Sequence, residues 1–351
     1  TLVAPTAVEP LARFRACPGG KPYGLADPVQ LSISRFFAGE VRFLAAGAAD
    51  DFVILEMGTN APGEIAYLAS VGRPDIGVVT LVAEAHLAGL GDLDAIAAEK
   101  SALVESLPAD GLAVLNADDE RVMGLAGQSS ARVVTFGVEA EADYRAEGVE
   151  LTPDGLSFRA GGCRVRMPVL AGYYAGLAMA TMAVAEAMGV PPEDVTQDLA
   201  EYKPPPMRLE RKVFGDVIVI SDAYNANWRS WLAALEVLKL WPRRNKVVFA
   251  GDMLEMGAES GRLHRALGEE IAKSGVSRLV TVGAESAETR RGAIAAGLAE
   301  DRALHVADSA TAADEAGSVV NRGEVVLVKG SRRMVMERVV EALSAKFAGG
   351  G

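Results

Sequence analysis

The sequence predicts two α/β domains in tandem, each a mostly parallel sheet with helices packed on its faces. Short apolar runs such as Ile76 to Val82, Leu112 to Asn116, Lys246 to Ala250 and Val325 to Val328 have strand length and little polar interruption, as strands buried on both faces require. Between such runs lie Ala-, Leu- and Glu-rich stretches at helical spacing, which gives the alternation of a parallel sheet with crossover helices. Lys203-Pro204-Pro205-Pro206 then breaks the pattern with prolines that donate no backbone hydrogen bond and cannot continue a helix. A domain junction is expected there, dividing the chain into 1–204 and 205–351.

In the first domain the expected strands are Phe52 to Met57, Ile76 to Val82, Leu112 to Asn116 and Arg132 to Phe136, with helices over Gly63 to Val71 and Asp92 to Ser106. From Asp143 to Pro168 the texture changes to short alternating segments. Turn signals at Pro153-Asp154-Gly155 and Gly161-Gly162 make these antiparallel hairpins. A helix over Tyr173 to Met188 follows, ended by Gly189 and Pro191. The second domain repeats the α/β pattern, with strands at Val217 to Ser221, Lys246 to Ala250, Leu279 to Val282 and Val325 to Val328. Its helices include Trp228 to Leu240 and His264 to Ser274.

Half of the 351 residues are hydrophobic, enough for substantial cores. Lys and Arg total 35 against 47 Asp and Glu, a formal charge of -12, and a nucleic-acid partner needs clustered cations instead. Cys17 and Cys163 have no CxxC or Cys/His ligand spacing, so neither a disulfide framework nor a zinc site is expected. No run approaches the roughly 18 apolar residues of a spanning helix, and no basic-then-apolar leader opens the chain. A cytoplasmic location is expected.

Four clusters bear chemistry. Glu56-Met57-Gly58-Thr59-Asn60-Ala61-Pro62-Gly63 puts a carboxylate at a strand end before a glycine-containing turn into a helix, the place where α/β sheets hold ligands. His86 follows the strand Ile76 to Val82 and could join Glu56 as an oxygen and nitrogen donor pair for a divalent cation. The third cluster is Ser221-Asp222-Ala223-Tyr224-Asn225-Ala226-Asn227. The fourth, Val328-Lys329-Gly330-Ser331-Arg332, sets cations beside flexible backbone suited to an anion. Lys100 alone reads as an ordinary solvated helix lysine.

In order and at compatible spacing, EMGTNAPGEI, AHLAGLGDLDAIAAEK, LNADDE, MRLE, SDAYNAN, AGDMLEMGAES and VLVKGSRRMVME resemble the Mur ligase family, and within it the members that add D-alanyl-D-alanine to a UDP-linked muramoyl tripeptide. The resemblance runs from about Asp51 to Leu343. It implies a central parallel-sheet domain of P-loop NTPase type, degenerate here, followed by a Rossmann-like C-terminal α/β domain. It also implies that Glu56 and His86 are magnesium ligands and that Lys100 is carbamylated into a metal-binding carboxylate. Asp222, Tyr224, Asn225 and Asn227 would lie near the nucleotide and the interdomain cleft. Lys329, Ser331 and Arg332 would hold the incoming dipeptide or the acyl phosphate, with Asn60, Arg208 and Asp252 also binding substrate. In this scheme Lys100, Asp222 and Lys329 are the catalytic residues.

The chain departs from the family at two separated places. No GxxxxGK[ST] string occurs; where register places the phosphate loop, near Thr1 to Glu9, TLVAPTAVE has no glycine and no lysine. Gly20-Lys21 belongs to a different segment, PGGKPYGLADP. The family's GxHNxxN phrase is replaced by Gly172-Tyr173-Tyr174-Ala175-Gly176-Leu177-Ala178, so that Tyr174 stands for the His and Ala175 and Ala178 for the two Asn. Trp228 replaces the Pro after NAN, and Met207 replaces the Gly before Arg208. The family's UDP-sugar domain is not expected within these residues.

Two readings follow. In one, the chain descends from an ATP-dependent peptidoglycan-precursor amide ligase, has lost or impaired ATP binding, and acts as a binding or partner subunit, for example of a catalytic Mur-ligase paralogue, holding a small carboxylate or dipeptide. In the other, it is a working carboxylate-amine ligase whose phosphate site is atypical or supplied by a partner. Nucleotide-free chemistry at the metal centre is a third, with no reaction singled out by spacing.

Overall fold

The computed structural model describes the backbone of Leu2–Val3, residues 53–83 and residues 90–348. These form two compact units. One comprises residues 1–150, 156–168 and 173–202; the other comprises 151–155, 169–172 and 203–351.

The first unit contains a five-stranded sheet in the order Leu2–Val3, Ile76–Val79, Leu112–Asn116, Arg132–Gly137 and Tyr144–Arg145, parallel throughout. Ala113 and Leu115 pack into a core with Ile65 and Leu68 of the helix Glu64–Gly72 and Ile96 and Leu103 of the helix Leu93–Glu105. Because side chains alternate along a strand, Leu112 and Val114 face the other way, and the helix Tyr174–Ala187 packs on this strand and its neighbour Arg132–Gly137. That helix ends as its sequence indicates. Gly189 takes φ +76°, its N–H bonds to the Glu186 carbonyl and the Val190 N–H to that of Ala185, the paired bonds of a Schellman cap.

Strands Glu147–Thr152, Gly155–Ala160 and Cys163–Met167 form a separate three-stranded sheet. Ala160 pairs with Cys163 across a two-residue turn in which Gly161 and Gly162 have φ of +53° and +85°, angles a side chain would resist.

The second unit holds a six-stranded sheet in the order Ala303–Val306, Arg278–Val282, Lys246–Gly251, Val325–Lys329, Val217–Asp222 and Glu210–Phe214. Five strands are parallel, and Glu210–Phe214 returns antiparallel at the edge. The chain leaves Val217–Asp222, passes over one position to Lys246–Gly251, moves outward, and finally inserts Val325–Lys329 between those two. That insertion makes a topological switch point.

Two expected strands are corrected. Phe52 to Met57 does not form a regular strand in the described part, from Val53 on: Glu56 makes a single bridge, and the edge beside Ile76–Val79 is paired with Leu2–Val3 instead. Ile76 to Val82 stops at Val79 because side chains take its last backbone groups. Asn116 Nδ2 donates to the Thr80 carbonyl at 2.7 Å, Lys100 Nζ to that of Leu81, and the Val82 N–H to Asp119 Oδ2 at 2.8 Å. Two helices also shift. The one at Trp228 ends at Leu238, where Lys239 and Leu240 tighten to i−3 bonds ahead of Pro242. The other starts at Ser260 rather than His264.

Helices Ser260–Lys273 and Ser286–Ala295 touch through glycine. A Cβ on Gly268 would come within 2.0 Å of the Thr289 carbonyl oxygen, and one on Gly292 within 2.0 Å of that of Arg265. Both obstacles are backbone, so neither side can yield cheaply. Gly268→Ala is therefore expected to lower stability by about 1–3 kcal/mol in urea unfolding. In the same helix Gly261→Ala meets nothing within 4 Å and should be neutral or stabilise by up to about 1 kcal/mol; equal midpoints for the two variants would contradict the close crossing.

Candidate functional site

In the first unit the glycine-containing loop after Glu56 closes on two carboxylates. Glu64 Oε2 accepts from the N–H of Asn60 at 2.6 Å and of Ala61 at 3.1 Å. Glu99, buried on the helix Leu93–Glu105, accepts from Gly63 N–H and Ile65 N–H at 2.7 Å each and from Thr59 Oγ1 at 3.3 Å. It thus fills the positive N-terminal end of the helix Glu64–Gly72, the position an external anion would otherwise take. Glu56 is half-buried at its bridge and Asn60 exposed on the loop.

Lys100 is not a solvated helix lysine. Its side chain is buried, its amine donates to the Leu81 carbonyl, and desolvation pulls its pKa down to about 7, opposed by the nearby charge of Asp119. Near neutrality much of this amine carries a free lone pair. His86 lies outside the described residues. Among the described residues no group of three His, Cys, Asp or Glu side chains is placed to hold a metal.

The replaced family phrase sits at the start of the helix Tyr174–Ala187. Tyr174 is buried, with its ring centroid 4.7 Å from that of the exposed Tyr173 and 5.9 Å from that of Tyr202. Ala175 and Ala178 are fully buried. A cleft of about 630 Å³ elsewhere in this unit is lined by Arg132, Asp143, Tyr144 and Glu186 among others and includes none of the expected site residues. Burial and a hydrogen bond with Glu186 push the Tyr144 hydroxyl up to about 12, which keeps it protonated.

In the second unit the expected residues converge at the carboxyl ends of the three strands flanking the switch point. Asp222 and Lys329 are register partners on adjacent parallel strands. Lys329 Nζ, 1% exposed, donates to Asp222 Oδ2 at 2.6 Å and to the Asn225 carbonyl at 2.9 Å, with the Trp231 ring centroid 5.8 Å away. Asp222 Oδ1 accepts from the Leu209 N–H at 3.1 Å. The pair therefore ties together the MRLE, SDAYNAN and KGSRR phrases.

The surrounding groups are committed locally as well. Ser331 N–H donates to the Asp252 carbonyl at 3.0 Å, and Ser331 Oγ accepts from the Leu254 N–H at 2.9 Å. Asp252 Oδ1 accepts from the Ser286 N–H at 2.7 Å. Asn227 caps the helix Trp228–Leu238 in a reciprocal box with Ser230, and Asn225 Oδ1 accepts from the Ala226 N–H at 2.8 Å. Exposed Arg332 forks onto Glu337 at 2.9 and 2.6 Å; this raises the guanidinium pKa and lowers that of the carboxyl. Tyr224 is 40% exposed, and the Arg208 guanidinium lies 4.2 Å from its ring centroid.

Sequence reasoning passed over Glu99, Asp119 and His264. The first two act on backbone 34 to 37 positions away, beyond any local motif. At Met207 φ is +61°, the left-handed region that suits the glycine of the family phrase and costs a residue with a side chain; nothing in the structure explains the methionine.

Residues 39–185 match the family model described as Mur ligase middle domain, and residues 207–332 match the one described as Mur ligase, glutamate ligase domain. The chain is 32% identical over 302 residues to the UDP-N-acetylmuramoyl-tripeptide--D-alanyl-D-alanine ligase of Escherichia coli K12, covering 84% of this chain and 65% of that protein. It is 30% identical over 304 residues to the ligase of the same name from Bacillus subtilis 168, covering 86% and 66%. The chain thus spans just under two thirds of the length of these relatives. A crystal structure of MurF from Acinetobacter baumannii is similar at 26% identity with a TM-score of 0.76, covering 85% of this chain and 66% of that one. At 24% identity, a MurF ligase from Thermotoga maritima in complex with ADP shares the fold, with a TM-score of 0.73 and coverage of 85% and 69%.

Removing one member of the buried pair leaves the other charge uncompensated. Lys329→Met is expected to cost about 3–5 kcal/mol in chemical denaturation; a loss below 1 kcal/mol would show that the pair is solvated. For Lys100 the sign is set by a folded pKa near 7 against the ordinary lysine value of 10.5. Below about 7 both states carry the proton and the folded state bears the full burial cost. Between the two values only the unfolded state holds it, so stability rises with pH across that window. Lys100→Met should lack this rise, as read from urea midpoints between pH 6 and 10.

Proposed function

From the premise that the chain belongs to the Mur ligase family, we propose that it joins a carboxylate of a peptidoglycan precursor to an incoming amine, with a weakened hold on the nucleotide. The observation that carries this reading is the buried Asp222–Lys329 pair, which binds three family phrases together at the sheet's switch point. Substrates of open α/β sheets lie at such crevices.

The donor set suits magnesium: Glu56, His86 and a carbamylated Lys100 would offer the carboxylate-type oxygens and imidazole nitrogen of a small divalent site. Burial lowers the Lys100 pKa to about 7, so a substantial share of this amine is neutral near pH 7, the form that can add to carbon dioxide. ATP and magnesium, when bound, would activate the carboxylate as an acyl phosphate and offset the charge that develops. The chain's own residues then orient the partners. Tyr224 and the Arg208 guanidinium stacked on it present a flat cationic surface, and the Ser331 turn is fixed from both sides. The Arg332–Glu337 fork would open to receive a substrate carboxylate, exchanging one bidentate partner for another.

One observation favours a second reading, a binding subunit without ATP turnover that serves a catalytic paralogue or another protein. Positions where the family carries His and two Asn are here a buried tyrosine and two buried alanines, which offer a base no amide donors or acceptors.

The two separate in one assay. Incubation with Mg-ATP, a muramoyl tripeptide precursor and D-alanyl-D-alanine is expected to give precursor-dependent phosphate release, lost in Lys100→Met. No release, together with no thermal stabilisation by ATP under conditions where a ligand at 100 times its Kd would add about 2.7 kcal/mol, would end the ligase reading. Saturable binding of the dipeptide in that case would leave the binding subunit.

A further inference from the structure

We infer that His264 is a positioning residue: a neutral imidazole that sets the loop Asp252–Met256 and, through it, the Ser331 turn. Its activity consequence rests on the ligase reading above; its structural consequence does not.

His264 is fully buried; both ring nitrogens meet backbone groups, and Nδ1 also lies 3.3 Å from Ser260 Oγ, whose own hydrogen goes to Glu285. Nδ1 lies 2.8 Å from the Ser260 carbonyl oxygen, which can only accept, so Nδ1 carries the hydrogen. Nε2 accepts from the Met253 N–H at 2.9 Å. The geometry therefore selects one tautomer. A hydrogen on Nε2 would face another hydrogen.

The loop it holds turns sharply, with Glu255 at φ +68°, a strained angle for a residue with a side chain. Three anchors oppose that strain. His264 takes the Met253 N–H, the Ser286 N–H holds the Asp252 carboxylate, and Ser331 bonds both the Asp252 carbonyl and the Leu254 N–H. Two of these anchors stand on the helices that cross closely at Gly268 and Gly292. Ser260 Oγ, donating to Glu285 at 2.6 Å, adds a further tie between them. The close crossing thus fixes His264 relative to Ser286. The third anchor belongs to the turn that follows Lys329.

A plain core residue would need only volume at this place. A positioning role needs an acceptor aimed at one amide, because the buried Met253 N–H otherwise has no partner to replace water. Glutamine can keep a side-chain acceptor there; leucine cannot.

Three measurements test this. In 15N-labelled wild type near pH 7, the His264 imidazole should show Nδ1 protonated and Nε2 bare; a proton on Nε2 overturns the assignment. In hydrogen exchange, His264→Leu should speed Met253, Leu254 and Ser331 by about tenfold or more while the amides of Ser260–Lys273 stay within about threefold, and His264→Gln should restore most of the protection. Uniform acceleration across the unit, no change at Met253, or failure of glutamine to restore protection would each overturn the role. Should the leucine variant not fold, the wild-type imidazole signals and the glutamine variant decide it. Where ligase turnover is detectable, His264→Leu should raise KM for the amine substrate by about tenfold with kcat within about threefold, and glutamine should recover it. Absence of turnover in every variant, with the exchange pattern as expected, counts against the ligase reading and leaves the positioning role standing.

Discussion

The second unit depends on an ion pair that water hardly reaches. Placing an ammonium and a carboxylate in a protein interior is costly unless each finds its partner and its remaining hydrogen bonds. Asp222 and Lys329 meet that demand by sitting opposite one another on neighbouring strands, each with a further backbone partner. Those further partners belong to two different loops. Neutralising charge and fixing loops are therefore the same act here, and three phrases far apart in sequence become one structure at the strand ends.

Much of this was legible in the residues. Apolar strand runs, Gly161-Gly162, and the Gly189 stop all carry local physics, and they appear where expected because nothing distant competes with them. Failures came where a distant group intervenes. Ile76 to Val82 reads as one strand, but Lys100, Asn116 and Asp119 arrive from other elements to take its last three residues. Lys100 read as a surface lysine for the same reason, since composition around it does not show that the Leu81 carbonyl and the Asp119 carboxylate, from other parts of the chain, meet its amine. The motif phrases located the second-unit cluster, yet not what each member does in the fold. Asn227 spends its side chain on a helix cap and Arg332 on Glu337, commitments that depend on partners three to five residues away and on local backbone angles.

The first unit shows how far an anion site can be occupied from within. Glu99 reaches across from a neighbouring helix to the N–H groups that a glycine-containing loop leaves open, and the loop is shaped around that carboxylate. Whatever such a loop binds must then be held by groups other than these particular amides. At Tyr174 the substitution is of another kind: aromatic and aliphatic bulk stands where amide groups would have read a base, so any recognition there has to rest on shape and ring contact.

The stretch entering the second unit has few torsional minima. Pro204, Pro205 and Pro206 each have one dihedral locked by a ring, and Met207 and Leu209 occupy a narrow left-handed well at φ +61° and +49°. The prolines are restricted by their own rings, whereas Met207 and Leu209 are kept at these costly angles by the Tyr224 N–H bond to the Met207 carbonyl and the Leu209 N–H bond to Asp222. The consequence is local: the carbonyl of Met207 and the N–H of Leu209 are delivered to Tyr224 and Asp222 by a stretch of chain already stiffened by three rings.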